Sequence, residues 1–507
     1  MATLDFRKRF FEEIVIRKLG YNPRIEIKPA HLANGFFRAV CGGYANNEAQ
    51  HMAIYPKAYP YLTPDSSPPD RRLGLRFQNF SPNQKEALRF LNGQEDKRAM
   101  LSALLGADKS LYRLVNTSSY SLSHSSHITN DNHDRDTGLW LYSILKQGES
   151  HHALDLLAEL LLQDPLNRND ELSLVTLPLD GTNVNHLQRN DFYPEPEGIK
   201  ITADGTFNDP IVQIIRSSFD RLALNDHDSA HKNGKLDTLR HFVTLGCFSV
   251  YFNLANASRE RYLVPMIFRF DRSLTTLSQA SVRSYQRMIH SIDEFLYQQI
   301  LAVVSDLAES GSYDSWDDDD AIERQIQHTI DWHRMTSESS RLKEKNVVSK
   351  LQQDCKNFYY TYRGKTAAVP PREAIARALS DMLAVVLSST PQDVARGLGT
   401  RIGLLSQYTG RQRKTYDPHP DFLEVLVRSS IPPNETWTLS DLARYWADSF
   451  GILCGVLGDE NERLNPLGIF VDQGEWLANT DALAEILELS GYARRYADGV
   501  VLISVQQ

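Results

Sequence analysis

The chain has 507 residues, 41% of them hydrophobic and 23% charged, with a formal net charge of −9. That length exceeds what one core ordinarily serves, and the composition excludes wholesale disorder. The negative balance argues against a protein coated in nucleic acid but leaves room for a local basic stripe.

Four cysteines, Cys41, Cys247, Cys355 and Cys454, lie far apart and form no CxxC pair. This fits a reducing compartment and gives neither a zinc knuckle nor a disulfide framework. No run reaches the roughly 18 apolar residues of a membrane span, and "MATLDFRKRFFEEIVIRKLGY" has no signal-peptide apolar core. The expectation is a cytoplasmic protein without membrane association.

Helical spacing predicts an amphipathic helix over 5–19, followed by a loop-rich α+β stretch over 25–80. "SPNQKEALRFLNG" predicts a helix with Ser81 at its N-cap, Pro82 at N1 and a stop at Gly93. Short helices follow at about 96–105 and 108–115. The polar segment 116–138 reads as a long loop, and helices resume at 139–147 and 151–163. Residues 172–207 carry β character, with Asp204-Gly205 as a hairpin signal. "DTLRHFVTLGCFSVYFNLA" (237–255) is apolar nearly all round and predicts a central buried helix.

"YLVPMIFRF" reads as a strand in which Pro265 favours an edge. Helix 282–308 holds a stripe of Tyr285, Ile289, Ile292, Leu296, Val303 and Leu307, a pattern of core packing more than of a coiled coil. The acidic knot "SYDSWDDDDAIE" (313–323) marks a boundary, and its aspartates also suit a helix N-terminus. Helical sequence continues to about 362 and again over 371–408. "GRQRKTYDPHP" (410–420) reads as a basic linker. The fold class expected is mainly α with α+β portions, multidomain. Its divisions are an N-terminal α+β domain 1–115, a central helical domain 116–312, a helical segment 313–410 and a winged-helix-like domain 411–507.

That last assignment rests on element order. "DFLEVLVRSSI" is a first helix, "WTLSDLARYWADSFG" a capped second, "NTDALAEILELSG" a third capped by Thr480, and "YARRYADGVVLISV" a hairpin turning at Ala497-Asp498-Gly499. From Arg411 onward there are 8 Lys/Arg against 15 Asp/Glu, the opposite of a DNA-binding footprint. The third helix carries Asp481, Glu485 and Glu488, which phosphates would repel. Arg494 and Arg495 on the hairpin are therefore read as partner-binding residues.

The better nucleic-acid candidate is 341–365, with 7 Lys/Arg against 2 Asp/Glu and a closing run of aromatics. Lys343, Lys345, Lys350, Lys356 and Arg363 supply charge for phosphate, and Tyr359 and Tyr360 could stack on unpaired bases. The competing reading is a solvated amphipathic helix whose tyrosines pack on their own domain.

Catalytic signals are weak. His124, His127, His133, Asp134 and Asp136 share a loop, and Glu195, Glu197 and Lys200 faintly resemble a nuclease cluster that lacks an acid at Gly198. There is no Walker A loop, GxGxxG, HExxH or GxSxG, so no cofactor or metal is expected, and Cys247 reads as inert core. In helical make-up, few cysteines and the two end segments "WTLSDLARYWADSFG" and "YARRYADGVVLISV", the chain resembles accessory subunits encoded in bacterial anti-phage and DNA-processing operons. That resemblance implies a non-catalytic, DNA-associated assembly subunit acting with a partner ATPase or nuclease. The alternative is a metal-dependent nuclease using the 124–136 or 195–200 segments.

Overall fold

The computed structural model describes residues 9–10, 15–23, 27–40, 136–162, 209–232, 235–258, 262–309, 316–333, 347–364, 368–386, 390–406 and 413–505. Among them the chain is mainly helical with a few short strands. The expected helices at 81–93, 96–105 and 108–115, most of the 116–138 loop and the β segment 172–207 lie outside the described residues.

The first half is a stack of helices. A single turn, α1 (Ile16–Leu19), precedes α2 (Pro29–Val40), α3 (Thr137–Lys146), α4 (His152–Leu162), α5 (Pro210–Lys232) and α6 (Lys235–Ala255). Helices α2 and α3 cross at Gly138, where an added Cβ would lie 2.2 Å from the Phe36 backbone nitrogen; only glycine permits that approach. The all-round apolar character of α6 is explained by its neighbours. It touches α2 and α5 in this half and several later helices, with Leu239, Phe242, Phe248, Val250, Tyr251 and Leu254 all buried. A helix enclosed on every side has no face to leave polar.

The expected strand at 262–270 is reduced to β1 (Met266–Ile267), with Pro265 just before it. Next comes α7 (Thr275–Glu309), 35 residues and about 52 Å long at 1.5 Å per residue. Its stripe is core: Tyr285, Ile292, Val303 and Leu307 are buried, and Ile289 and Leu296 pack against the same cluster. Short α8 (Asp319–Arg324) continues into a π turn over Gln325–Thr329, and Asp318 caps it by accepting the Ala321 N–H at 2.7 Å. Then α9 (Val347–Arg363) packs on α10 (Pro371–Val386), which also lies along α7. Helix α11 (Pro391–Arg401) starts in a Thr390/Asp393 capping box.

Residues 414–417 do not form the exposed linker that their composition suggests. Lys414, Thr415 and Tyr416 are buried. Lys414 Nζ donates to the Ser406 carbonyl at 2.6 Å, and the Tyr416 N–H donates to Ser281 Oγ at 2.9 Å. Asp417 receives the Arg269 guanidinium at 2.5 and 2.9 Å. Charge in this stretch faces buried partners, so composition alone misplaces it at the surface.

The final elements are α12 (Pro420–Arg428), β2 (Thr436–Thr438), α13 (Leu439–Phe450), β3 (Ile452–Leu453), α14 (Glu460–Leu464), α15 (Gln473–Leu489), β4 (Ala493–Arg495) and β5 (Val501–Ser504). Strands β2, β5 and β4 form an antiparallel sheet in that order, with Trp437 opposite Ile503 and Arg494 opposite Leu502. The hairpin turns where expected, with Gly499 at φ +82°. Strand β3 leaves the sheet and pairs in parallel with β1. Helix α15 begins seven residues before the expected cap. Asp472 takes the Gly474 and Glu475 N–H groups, while the Thr480 hydroxyl bonds the Trp476 carbonyl inside the helix. A threonine can satisfy its hydroxyl mid-helix in this way, so it imitates a cap in sequence. One hydrophobic cluster runs from Phe10 to Val505.

Candidate functional site

Helix α9 carries most of the residues that composition nominates for nucleic acid, and two of its cations, Lys356 and Arg363, are met from within the chain. Lys356 Nζ lies 2.7 Å from Glu323, which also accepts the Tyr360 hydroxyl at 2.5 Å. Arg363 grips Asp319 through Nε at 2.8 Å, and Tyr359 donates to the same carboxylate. Arg372 at the start of α10 holds Asp317 at 2.6 Å. The acidic knot and the basic helix are thus two halves of one contact. The donors hold both carboxyls below their ordinary range: Arg363 foremost at Asp319, Lys356 foremost at Glu323. The Glu323 hydrogen bond and burial push the Tyr360 phenol up to about 12. Tyr359 is fully buried, which removes it as a stacking platform. Lys350 is exposed, and Lys343 and Lys345 lie outside the described residues.

A second surface lies at the end of the chain. Leu477, Asp481, Glu485 and Leu489 recur every fourth residue on α15 and are all exposed, Leu489 at 82%. The hairpin lies beside this stripe. Arg495 reaches Glu488 at 3.1 Å and Asp481 at 3.8 Å, and the Arg494 guanidinium sits 5.5 Å from the Tyr496 ring. The tip leaves Tyr496 and Val500 exposed. The result is an apolar surface with acidic groups at its centre, and its two arginines are engaged locally.

Buried polar contacts tie these last elements to the helical body. Asp226 on α5 is 1% exposed and receives Arg428 Nη1 at 2.7 Å and His241 Nδ1 at 2.7 Å. Glu424 accepts the Tyr492 hydroxyl at 2.7 Å and lies 3.3 Å from Arg428 Nε. Asn479 bridges α15 to both parallel strands: Oδ1 accepts the Phe270 N–H at 2.8 Å, and Nδ2 donates to the Phe268 and Cys454 carbonyls at 3.0 Å. Glu475 accepts the N–H groups of Thr275, Thr276 and Leu277, closing the N-terminus of α7. Sequence reading missed these residues because their decisive contacts, Asp226–Arg428, Asn479–Phe270 and Glu475–Thr275, span about 200 positions of chain and belong to no local motif.

Chemistry finds little support among the described residues. No group of three or more His, Cys, Asp or Glu there could hold a metal ion. Apart from Asp136, which precedes α3 with φ +66°, the 124–136 and 195–200 segments fall outside them. Burial raises the thiols of Cys247 and Cys355 far above their ordinary value and pushes Cys454 up to about 12, so none is a ready nucleophile. No helix of the described residues is long and apolar enough to cross a membrane. No protein-family model matches the chain, and no curated protein or solved structure matches it.

Proposed function

We propose that this chain is a non-catalytic assembly subunit of a multi-protein bacterial DNA-defence or DNA-processing complex, acting with a partner ATPase or nuclease. Its C-terminal part is read as a winged helix turned to protein contacts. Three features support the winged-helix reading: the order helix, strand, helix, helix, hairpin, the sheet order β2-β5-β4, and the closing turn at Gly499. The short β3 and α14 are the insertions it tolerates.

The observation that carries the functional reading is the outward face of α15. In a DNA-reading winged helix that face enters the groove, where side chains meet base edges between rows of phosphate. Here it offers Asp481, Glu485 and Leu489, and Arg495 of the wing is held by Asp481 and Glu488. Carboxylates flanked by leucines suit a basic, partly apolar protein surface. DNA association then belongs to the assembled complex.

The test is co-expression with the ATPase or nuclease encoded beside this chain. We expect the complex to survive size exclusion with wild-type protein and to dissociate with the triple variant Asp481→Lys, Glu485→Lys, Leu489→Ser. Wild-type protein alone should show no binding to a 30-bp duplex at 0.15 M salt. A triple variant that still assembles, or a wild-type chain that binds the duplex through Arg494 and Arg495, overturns the proposal.

A further inference from the structure

Where the C-terminal elements meet α7, two cavities of about 550 and 510 Å³ adjoin and share Arg287, Pro466 and Leu467. Each lies within the range of roughly 300–1,000 Å³ typical of small-molecule sites, and junctions between structural units are where such sites concentrate. The two lobes differ in chemistry. The smaller is walled by Arg283, Gln286, Arg287 and His290 of α7, positions that fall on one helix face, and none of its lining residues is acidic. Arg283 Nη1 donates to the Gly468 carbonyl at 3.2 Å, which brings the 465–468 turn across from this face. In a chain of net charge −9, a lobe with two arginines and a histidine runs against the average.

The larger lobe has an apolar wall of Leu263, Val264, Pro265 and Leu453, and Tyr262 stands at its rim 71% exposed. Its polar groups include Asp448 and Glu462; Asp448 is steered by Arg463 at 2.9 Å, and Arg463 also reaches Asp459 at 3.1 Å.

We propose that this cleft binds a nucleotide. The arginine lobe takes the phosphates, because guanidinium forks match phosphate oxygens in pairs and form the stronger, charge-assisted hydrogen bonds. The base lies against the apolar wall beneath Tyr262, whose ring offers a stacking face. The carboxylate of Glu462, in the lining of the larger lobe, is an acceptor for sugar hydroxyls. Arg287, lining both lobes, bridges phosphate to sugar. This site is separate from the α15 surface and does not depend on the assembly reading.

Calorimetric titration of the full chain at 0.15 M salt with ATP, GTP, CTP, UTP, adenosine and inorganic tripolyphosphate tests the proposal. We expect one saturable site for at least one nucleoside triphosphate, with tripolyphosphate and the nucleoside each at least about 10-fold weaker, since each engages one lobe only. Arg287→Glu should weaken the nucleotide about 30-fold by removing paired, charge-assisted bonds and reversing charge. Tyr262→Ala should weaken the nucleotide and leave tripolyphosphate unchanged. If Arg287→Glu melts below wild type, the exposed double variant Arg283→Glu, His290→Ala replaces it and should also weaken binding. No saturable nucleotide binding overturns the proposal. So does tripolyphosphate binding as tightly as every nucleotide, or a folded arginine variant with unchanged affinity.

Discussion

Replacing Asn479 by alanine tests whether the C-terminal elements melt with the body or alone. The side chain is fully buried and satisfies one donor and two acceptors, the Phe270 N–H and the Phe268 and Cys454 carbonyls. Stripping a buried polar group of its partner costs about 1–3 kcal/mol, so three such groups, partly relaxed, put the loss at about 4 kcal/mol. What that does to Tm depends on the cooperative unit. Unfolding entropy is about 2.1 cal/mol/K per residue, so the roughly 90 residues of the C-terminal part would carry about 0.2 kcal/mol/K and shift by about 20 °C. The whole chain of 507 residues would carry about 1 kcal/mol/K and shift by about 4 °C. We expect the smaller shift in a single transition. The body shares a parallel strand pair, the Asp226–Arg428 contact and one continuous core with these elements. Differential scanning calorimetry of wild type and Asn479→Ala reads the outcome directly. Asn479→Asp is the control: it keeps an acceptor for Phe270 but sets carboxylate oxygens against two carbonyls, and should melt no higher than the alanine variant. A separate low-temperature transition that moves by about 20 °C, or a Tm unchanged within about 1 °C, refutes the reasoning.

Arg428→Met should destabilise by about 3–5 kcal/mol in urea unfolding, because it leaves Asp226 buried with His241 as its remaining ionic neighbour; a loss under about 1 kcal/mol would show that the charge finds another partner. Asp319 and Glu323 have depressed pKa values, so their contribution is fully present above the ordinary carboxylate range and lost as pH falls through the lowered folded values. Acid titration below about pH 4 should therefore loosen α9 from α8, read by tyrosine fluorescence, and Asp319→Asn should remove part of that acid sensitivity. Cys247, Cys355 and Cys454 should stay unmodified by a thiol reagent at pH 8 until the chain unfolds, because all three are buried with raised pKa values; rapid labelling of any of them in the native state would contradict the packing.

What the sequence discloses follows the range over which each interaction acts. The stripe on α7 and the Thr438 cap of α13 are set within one or two turns of chain, and both are where periodicity and cap chemistry put them, although the residue that completes the cap is Asp441. Helix α6 is legible for the opposite reason: an absent polar face can only mean enclosure. Charge is another matter, because a run of like charge reads the same whether it faces water or a complementary run elsewhere. The acidic knot 313–323 and the basic stretch 341–365 look like a solvated turn and a nucleic-acid stripe when taken singly, and in the fold Glu323 and Asp319 of one pair with Lys356 and Arg363 of the other. The only surviving hint was their opposite sign at a separation of some 40 residues. The cleft is harder still. Arg283, Arg287 and His290 look like the ordinary outer face of a long helix, and what makes them a site is the 465–468 turn brought over them from nearly 200 residues away. A motif search finds groups that are close in sequence; here the groups that could hold a ligand are brought together by long-range docking, in which Glu475 fixes α15 to the start of α7, Asn479 fixes it to the strand before α7, and an apolar cluster packs the turn ahead of it against α7. A variant that undocks α15 should therefore lose nucleotide binding without touching a single lining residue.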